Sequence, residues 1–326
     1  MNRRRSLLVI PAVLYGVFIT PAAAQAEKVY RIGMLETESA SVNKTNLDAL
    51  LRGLREAGYV EEKNFVIDYR SADGRPEKFP DLAADLARAK PDIVVTRGSP
   101  AALAAKATLR VPIIMAASAD PIAAGIVNSL AHPGGNITGL TNFERDTAAK
   151  KMELLSQLVP KGSSVGYMSN MANPANPPVW KQVERGARSV GLHPILFDIR
   201  DAQAITGALE AALRHRVAAL YVPVEGATVG RLSDIVRFAA DHKLPAIYTS
   251  REGVDAGGLM SYGADYPSLY YRVAFYVDKI FKGTKPGDLP IEQPSKMNFV
   301  INLKTAKALG IAMPRDLLAR ADEVIQ

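Results

Sequence analysis

The chain has no cysteine. That absence removes a disulfide framework, a thiol nucleophile and a lipid-anchoring cysteine, so stability rests on burial alone. Histidine is nearly as scarce, for the four (His132, His193, His215 and His242) stand apart and none forms a helical metal pair. A metal or thiol enzyme is not expected from such a set. Neither G-x-G-x-x-G nor G-x-x-x-x-G-K-[ST] occurs, which excludes the common phosphate-cradling loops. The nearest approach to a nucleophile elbow, Gly258-Leu259-Met260-Ser261-Tyr262-Gly263, has its first Gly one residue too far from the Ser. Catalytic residues, metal ligands and cofactors are therefore all read as none.

Clustered positive charge is missing as well. The chain carries 40 Lys and Arg against 33 acids, but three Arg and no acid fall within the first 26 residues, leaving 37 bases against 33 acids, a net +4. These bases are scattered, and no stripe of them tracks a phosphate backbone, so nucleic acid is not an expected partner.

Those first 26 residues read as a secretory signal peptide: Arg3-Arg4-Arg5, an apolar run from Leu7 to Ile19, then small residues ending in Ala24-Gln25-Ala26. The apolar run is short of the about 20 residues a bilayer span needs. Cleavage is expected near Ala26, with Ala24 as the alternative. Arg4-Arg5-Ser6-Leu7-Leu8 also resembles a twin-arginine signal, so the export route, Sec or twin-arginine, stays open. No second apolar stretch is long enough to cross a membrane, and the mature chain is expected outside the cytoplasmic membrane, in the periplasm, without stable membrane insertion.

What is present is a regular alternation. Short β-rich runs at Val29–Leu35, Asn64–Tyr69, Asp92–Thr96, Pro112–Met115 and Ile137–Leu140 alternate with helical patterns such as Asn43–Ala57, where Leu47, Leu50, Leu51 and Leu54 recur at helical spacing before Gly58. After Phe143 the pattern restarts, with strands at Ser164–Met168, Ile195–Asp198, Ala218–Val222, Ala246–Tyr248 and Leu259–Tyr262. Helices are expected between them, among them Thr147–Leu158, Pro177–Val190, Ala204–Leu213 and Thr228–Asp241. This is α/β arithmetic with parallel sheets, repeated in two doubly wound lobes. The tail differs: helix Tyr266–Phe281, then "KGTKPGDLPIEQPSK", strand Met297–Ile301 and helix Lys304–Leu309, a crossover between lobes rather than a third domain.

Ligands of open parallel sheets sit beyond the carboxyl ends of strands, at helix N-termini. "VVTRGSPAALAAK" is such a place: Gly98 suits a positive φ, Ser99 an N-cap, and Pro100 the first helical position. The N–H groups of Ala101 and Ala102 would then face a carboxylate, unless the turn is only a well-capped helix. Asp120-Pro121 is expected to open a further helix, with Asp120 either capping it or pairing with a ligand ammonium. In the second half Asn173 and Asn176 of "SNMANPANPPVW" offer amides beside a cleft. Pro223-Val224-Glu225 and Thr249-Ser250-Arg251 follow strands, placing Glu225 and Ser250 on the same side, and Tyr262 supplies an aromatic wall. Trp180 reads as core or as a stacking platform, and His132 as structural.

These stretches in this order, namely Leu51 to Leu140, "NPANPPVW" at Asn173 to Trp180, and Leu289 to Ile325, resemble the ABC transporter substrate-binding protein family whose members include tryptophan and tyrosine binders, a branch of the type I periplasmic binding fold. The resemblance covers nearly the whole mature chain. It implies a three-crossover hinge, with residues 27–143 and 264–291 in an N-terminal lobe and 144–263 and 292–326 in a C-terminal lobe. It further implies no enzymatic activity, and capture of a small-molecule ligand for an ABC permease and its ATPase. It supports the Gly98–Ala101 turn, Asp120 and the Asn-Pro loop as cleft elements. Amino-acid binders of this kind tend to offer a fuller polar set after the first strand than Glu36-Thr37-Glu38, so the resemblance does not fix the ligand, and the expected class is a small carboxylate-bearing one, an amino acid or an aromatic acid. Competing expectations are a ligand-binding partner of a sensor kinase, using the same cleft, and a periplasmic hydrolase or isomerase, for which no triad is present. A monomer is expected, because a capture protein must open and close freely.

Overall fold

The computed structural model describes residues 28–223 and 225–326. The expected signal peptide lies outside them. The first sheet contains β1 (Tyr30–Glu36), β2 (Phe65–Ser71), β3 (Ile93–Arg97), β4 (Ile113–Ala117) and β5 (Ile137–Gly139), in the order β2-β1-β3-β4-β5 and all parallel. Helices α1 (Lys44–Glu56), α2 (Phe79–Ala89) and α3 (Ser99–Thr108) connect them.

After α4 (Glu144–Ser156) the second sheet begins: β6 (Ser164–Ser169), α5 (Asn176–Ser189), β7 (His193–Asp198), α6 (Ala204–Arg214) and β8 (Ala219–Val222). The helices α7 (Gly226–Gly230) and α8 (Leu232–Asp241) lead to β9 (Ala246–Tyr248), α9 (Arg251–Asp255) and β10 (Met260–Ala264). The tail adds α10 (Tyr266–Phe281), β11 (Met297–Asn302), α11 (Leu303–Leu309), α12 (Arg315–Arg320) and β12 (Glu323–Ile325). Strand order in this sheet is β12-β11-β10-β9-β8-β6-β7. Its one departure from parallel pairing is β10 against β11. Three connections pass between the sheets: β5 to α4, β10 to α10, and the segment ahead of β11.

The two-residue period of the strands sorts side chains onto the two faces of each sheet. In the first sheet Ile32, Met34, Val95 and Ile114 pack with Leu50 and Leu54 of α1 and Tyr270 and Val273 of α10. Their neighbours Leu35, Val94 and Met115 pack on the other face with Leu86, Ala101 and Ala105. A side chain such as Leu50, fully buried, contributes on the order of 1.5–3 kcal/mol by leaving water. Gly53 lets α1 and α10 approach closely, since a Cβ there would lie 2.8 Å from Tyr271 O and from the Ala274 Cβ. The second sheet repeats the scheme, with Val165 and Tyr167 facing α4 and α5, and Met168, Leu220 and Val222 facing α6 and α8.

Several elements differ from expectation. Asp120 opens a turn, not a helix: its Oδ1 accepts from the Ala123 N–H at 3.0 Å, but Gly125 takes φ +70 and the N–H groups of Ile126 and Val127 both return to Pro121 O. The chain then leaves as loop. The single helix expected over Thr228–Asp241 is two, because Gly230 sits against Gly74 of the other lobe and Arg231 breaks helical geometry with φ −128. The short elements α9, α12 and β12 carry too few periodic residues to have shown in the sequence.

Candidate functional site

The carboxyl ends of both sheets face one cleft between the lobes. The first lobe supplies Thr37 after β1, Gly98-Ser99-Pro100 between β3 and α3, and Ala117 and Ala119 after β4. The second supplies Asn170 and Asn173 after β6, Pro223 and Glu225 after β8, and Thr249 after β9. Asn142, Glu144 and Tyr266, all beside the connections between lobes, also line it. Phe79 and Ile199 add apolar wall.

At the β3–α3 turn Gly98 takes φ +86, a conformation that favours glycine. Gly98, not Ser99, is the N-cap, and Ser99 is the first helical residue. The reason lies in the partner of Ser99: its Oγ meets Ser118 Oγ at 2.9 Å, so it does not turn back to cap the helix. Pro100 follows in the first turn. The Ala102 N–H already bonds Gly98 O at 3.2 Å, which removes it from the set of groups available to an anion. Ala101 and Ala102 are fully buried behind the turn. In an α-helix the first N–H groups, here those of Ser99 and Ala101, have no intrahelical partner, and the helix dipole favours negative charge before them. Thr37 is 6% exposed and its Oγ1 has no hydrogen-bond partner, and its side chain lines the same cleft beside Gly98.

Below that turn lies a buried charge cluster that the sequence reading missed. Arg97, 3% exposed, donates to Glu38 Oε2 at 2.8 Å and, from Nη2, to both oxygens of Glu252 at 2.8 Å. Glu252 belongs to α9 of the second lobe, so this pair joins the lobes. The guanidinium also stands over the Tyr266 ring, 4.6 Å from its centroid. Glu36, fully buried, accepts from Tyr270 Oη at 2.7 Å, and burial pushes its carboxyl up to about 8. Burial likewise raises Glu38, against the lowering pull of Arg97. The available signal was charge at two adjacent strand ends, Glu36 closing β1 with Glu38 just beyond it, and Arg97 closing β3. The lobes also touch at their lips, where a Cβ on Gly74 would lie 2.6 Å from Gly230 Cα. The structure is thus a closed form.

The second-lobe wall is organised around two carboxylates. Glu225 accepts from Asn176 Nδ2 at 2.8 Å and from Ser169 Oγ at 3.5 Å, and forms a capping box with Thr228 at the start of α7. Burial pushes its carboxyl up to about 7. Asn173 reaches Asn176 Oδ1 at 3.4 Å, so the two expected amides and Glu225 form one chain of contacts. Only Asn173 and Glu225 of these three line the cleft, while Asn176 supports them from behind. Glu144 holds the fully buried Lys151 at 3.2 and 3.1 Å and accepts from the Tyr221 hydroxyl. Burial lowers Lys151 and raises Tyr221.

The remaining expected site residues lie off the cleft lining. Asp120 binds Arg145 through Oδ2 at 2.6 Å and the Ala123 N–H through Oδ1, so both oxygens have internal partners. Ser250 donates to Glu252 Oε2 at 3.1 Å, beside the Arg97 pair. Tyr262 packs edge-on against Phe299 in the second-lobe core, 6.1 Å between centroids. Trp180 stacks on Tyr167 at 5.7 Å in that same core.

A family model described as ABC transporter substrate binding protein matches residues 34–325. The tyrosine-binding protein of Clostridioides difficile (strain R20291) is 27% identical over 288 residues, spanning 88% of this chain and 82% of that protein. A solved ABC domain in complex with L-Trp from Streptococcus pneumonia is 27% identical with a TM-score of 0.83, covering 91% of this chain and 100% of that one. A conserved domain protein from Vibrio cholerae is 26% identical with a TM-score of 0.84, again over 91% and 100% of the two chains.

Proposed function

The chain belongs to the ABC transporter substrate-binding protein family, and from that premise we propose that it captures a carboxylate-bearing molecule, an amino acid or an aromatic acid, in the interlobe cleft for an importer. It is a binding protein, not an enzyme. One observation carries the ligand class: the N-terminus of α3 faces the cleft together with a buried Thr37 hydroxyl that has no partner. A carboxylate there would accept from that hydroxyl and from the first helical N–H groups, with the dipole behind them. The C. difficile relative named for tyrosine and the S. pneumonia structure with L-Trp agree with this class.

Capture works by closure. A ligand that touches both walls stabilises the closed form over the open one by its differential contacts. The permease and its ATPase would read the closed form. Proteins of this family act outside the cytoplasm, and no helix among the described residues is long and apolar enough to cross a membrane. We place the mature chain in the periplasm as a monomer, released from its leader near Ala26.

The test is a thermal-shift panel on refolded, leaderless protein against amino acids, aromatic acids, short-chain acids, sugars and nucleosides. A ligand at about 100 times its Kd adds roughly 2.7 kcal/mol, several degrees for a chain of this size. Thr37→Val is expected to weaken carboxylates about tenfold or more, since a hydrogen bond to a charged group is worth on the order of 1.5–3 kcal/mol. Shifts from sugars or nucleosides alone would overturn the ligand class.

A further inference from the structure

We propose that closing the lobes takes up a proton on Glu36, in the cluster around Arg97, so that the protein holds its ligand more tightly in neutral than in alkaline medium. This rests on the capture function above and names a control on it. Glu36, Glu38 and Glu252 stand behind the cleft, and of the cluster only Arg97 lines it.

Three carboxyl groups meet one guanidinium here. Arg97 gives Nη1 to Glu38 Oε2 at 2.8 Å and Nη2 to both oxygens of Glu252 at 2.8 Å, and Nη1 also reaches the neutral Asn43 Oδ1 at 3.3 Å. Glu36 receives none of these donors. It is fully buried, its Oε2 accepts from Tyr270 Oη at 2.7 Å and Asn43 Nδ2 at 3.3 Å, and its Oε1 has no partner. A buried charge without a cation in contact is costly, so the proton of the cluster belongs on Glu36. The other titratable groups facing it are Tyr69 from β2 and Tyr266 and Tyr270 from α10, each raised by burial and neutral. The chain entering α1 presents only the amides of Asn43 and Asn46. Beside Glu252 on α9, Asp255 pairs with Arg251. Among the described residues Arg97 is therefore the one cation paired with the cluster.

Glu36, Glu38 and Arg97 belong to the first lobe, whereas Glu252 travels with the second. With the lobes apart, Arg97 faces two carboxyl groups, and its field acts on Glu36 unopposed by Glu252. Closure adds a third carboxylate to a site with little water. A proton on Glu36 cancels the added charge. In the closed form burial, against the pull of Arg97, holds the Glu36 carboxyl at about 8, with Glu38 and Glu252 both adding to the rise. Opening removes the Glu252 contribution and so lowers that value. A group raised in the closed form supports closure fully below its open-form value and loses that support as pH rises through about 8. A second hollow between the lobes, lined by Glu38, Glu252 and Tyr266 among others, connects the cluster to solvent and gives the proton a path.

The experiment is calorimetric titration with L-tyrosine and L-tryptophan in buffers of different ionisation enthalpy, which counts protons taken up per ligand bound. It compares wild type with Glu36→Gln and Glu252→Gln, which retain every other titrating group. Gln at position 36 keeps an oxygen for Tyr270, and a thermal melt confirms folding. If that variant fails to fold, Glu252→Gln, at a side chain 24% exposed, carries the comparison. A tenfold difference in proton affinity between the two forms gives about half a proton more in wild type than in either variant at pH 7.5, and binding about sixfold weaker at pH 8.5 than at pH 6.5 relative to theirs. Equal proton uptake in wild type and variants, or parallel affinity profiles, overturns the proposal. Uptake lost in Glu252→Gln but kept in Glu36→Gln overturns the assignment to Glu36. If neither amino acid binds, that ligand class falls, and small-angle X-ray scattering of ligand-free protein decides the proton coupling. Expansion from pH 6.5 to pH 8.5 in wild type but not in Glu36→Gln upholds it, and identical behaviour overturns it.

Discussion

Replacing Glu252 by alanine tests whether the closed form is held partly by the protein itself. In the closed form Arg97 Nη2 meets both Glu252 oxygens at 2.8 Å, and Ser250 and Asn46 add contacts at 3.1 and 3.5 Å. With the lobes apart, each partner would face water, so the pair contributes to closure rather than to the folding of either lobe. Breaking a buried ion pair by removing one partner costs about 3–5 kcal/mol. That ceiling must be lowered here, because the Glu252 side chain is 24% exposed and Arg97 keeps Glu38 at 2.8 Å. A loss of about 1–3 kcal/mol remains, and each 1.4 kcal/mol is tenfold in an equilibrium. Ligand affinity should therefore fall about 5- to 150-fold, because apparent affinity scales with the population able to close. Titration gives the affinity, and small-angle X-ray scattering of ligand-free protein gives the shape, which should expand in Glu252→Ala. The ligand-free melting temperature should move by no more than a few degrees. Affinity within twofold of wild type, with unchanged scattering, would refute the latch.

Two further outcomes follow from the same geometry. Gly74→Ala places a Cβ 2.6 Å from Gly230 Cα, a backbone atom that cannot swing aside, so ligand binding should weaken at least tenfold by titration while far-UV circular dichroism stays native; undiminished affinity would mean the lips do not need to meet. Glu36 has its carboxyl raised from 4.5 to about 8 by burial, so the unfolded chain gives up this proton first and stability falls as pH rises between those two values, by at most about 1.4 kcal/mol per unit. Glu36→Gln should remove that slope in urea titrations, gaining on wild type at pH 8 but not at pH 5; parallel pH profiles would show that Glu36 does not stay neutral.

The fold was largely legible because its signals are local. Leu47, Leu50, Leu51 and Leu54 mark α1 by spacing alone, and Gly58 beyond its end takes φ +92. Irregular backbone was less legible: Asp120-Pro121 looks like a helix start, yet what ends it is a glycine turned to positive φ, which many sequences do not use that way. The cleft could be located from strand ends, and Gly98, Ser99, Pro100, Asn173 and Glu225 do line it. Pairing across space could not. Nothing near Asp120 in sequence announces Arg145, and nothing near Arg97 announces Glu252, 155 residues away. Tyr262 shows the parity problem of strands, where one residue of shift turns a cleft wall into core against Phe299.

The position of α10 has a consequence in time. Its Tyr270, Val273 and Val277 complete the core that Ile32, Met34 and Leu50 begin, so a ribosome must deliver Phe281 before the first half of the molecule can close over its own apolar face. The second sheet waits longer still, for β11 and β12 at the far end of the chain. Until then the nascent chain holds strands and helices without a finished interior, and contacts of such long sequence separation form slowly. A chain wired in this way can finish neither lobe until nearly all of it has been made.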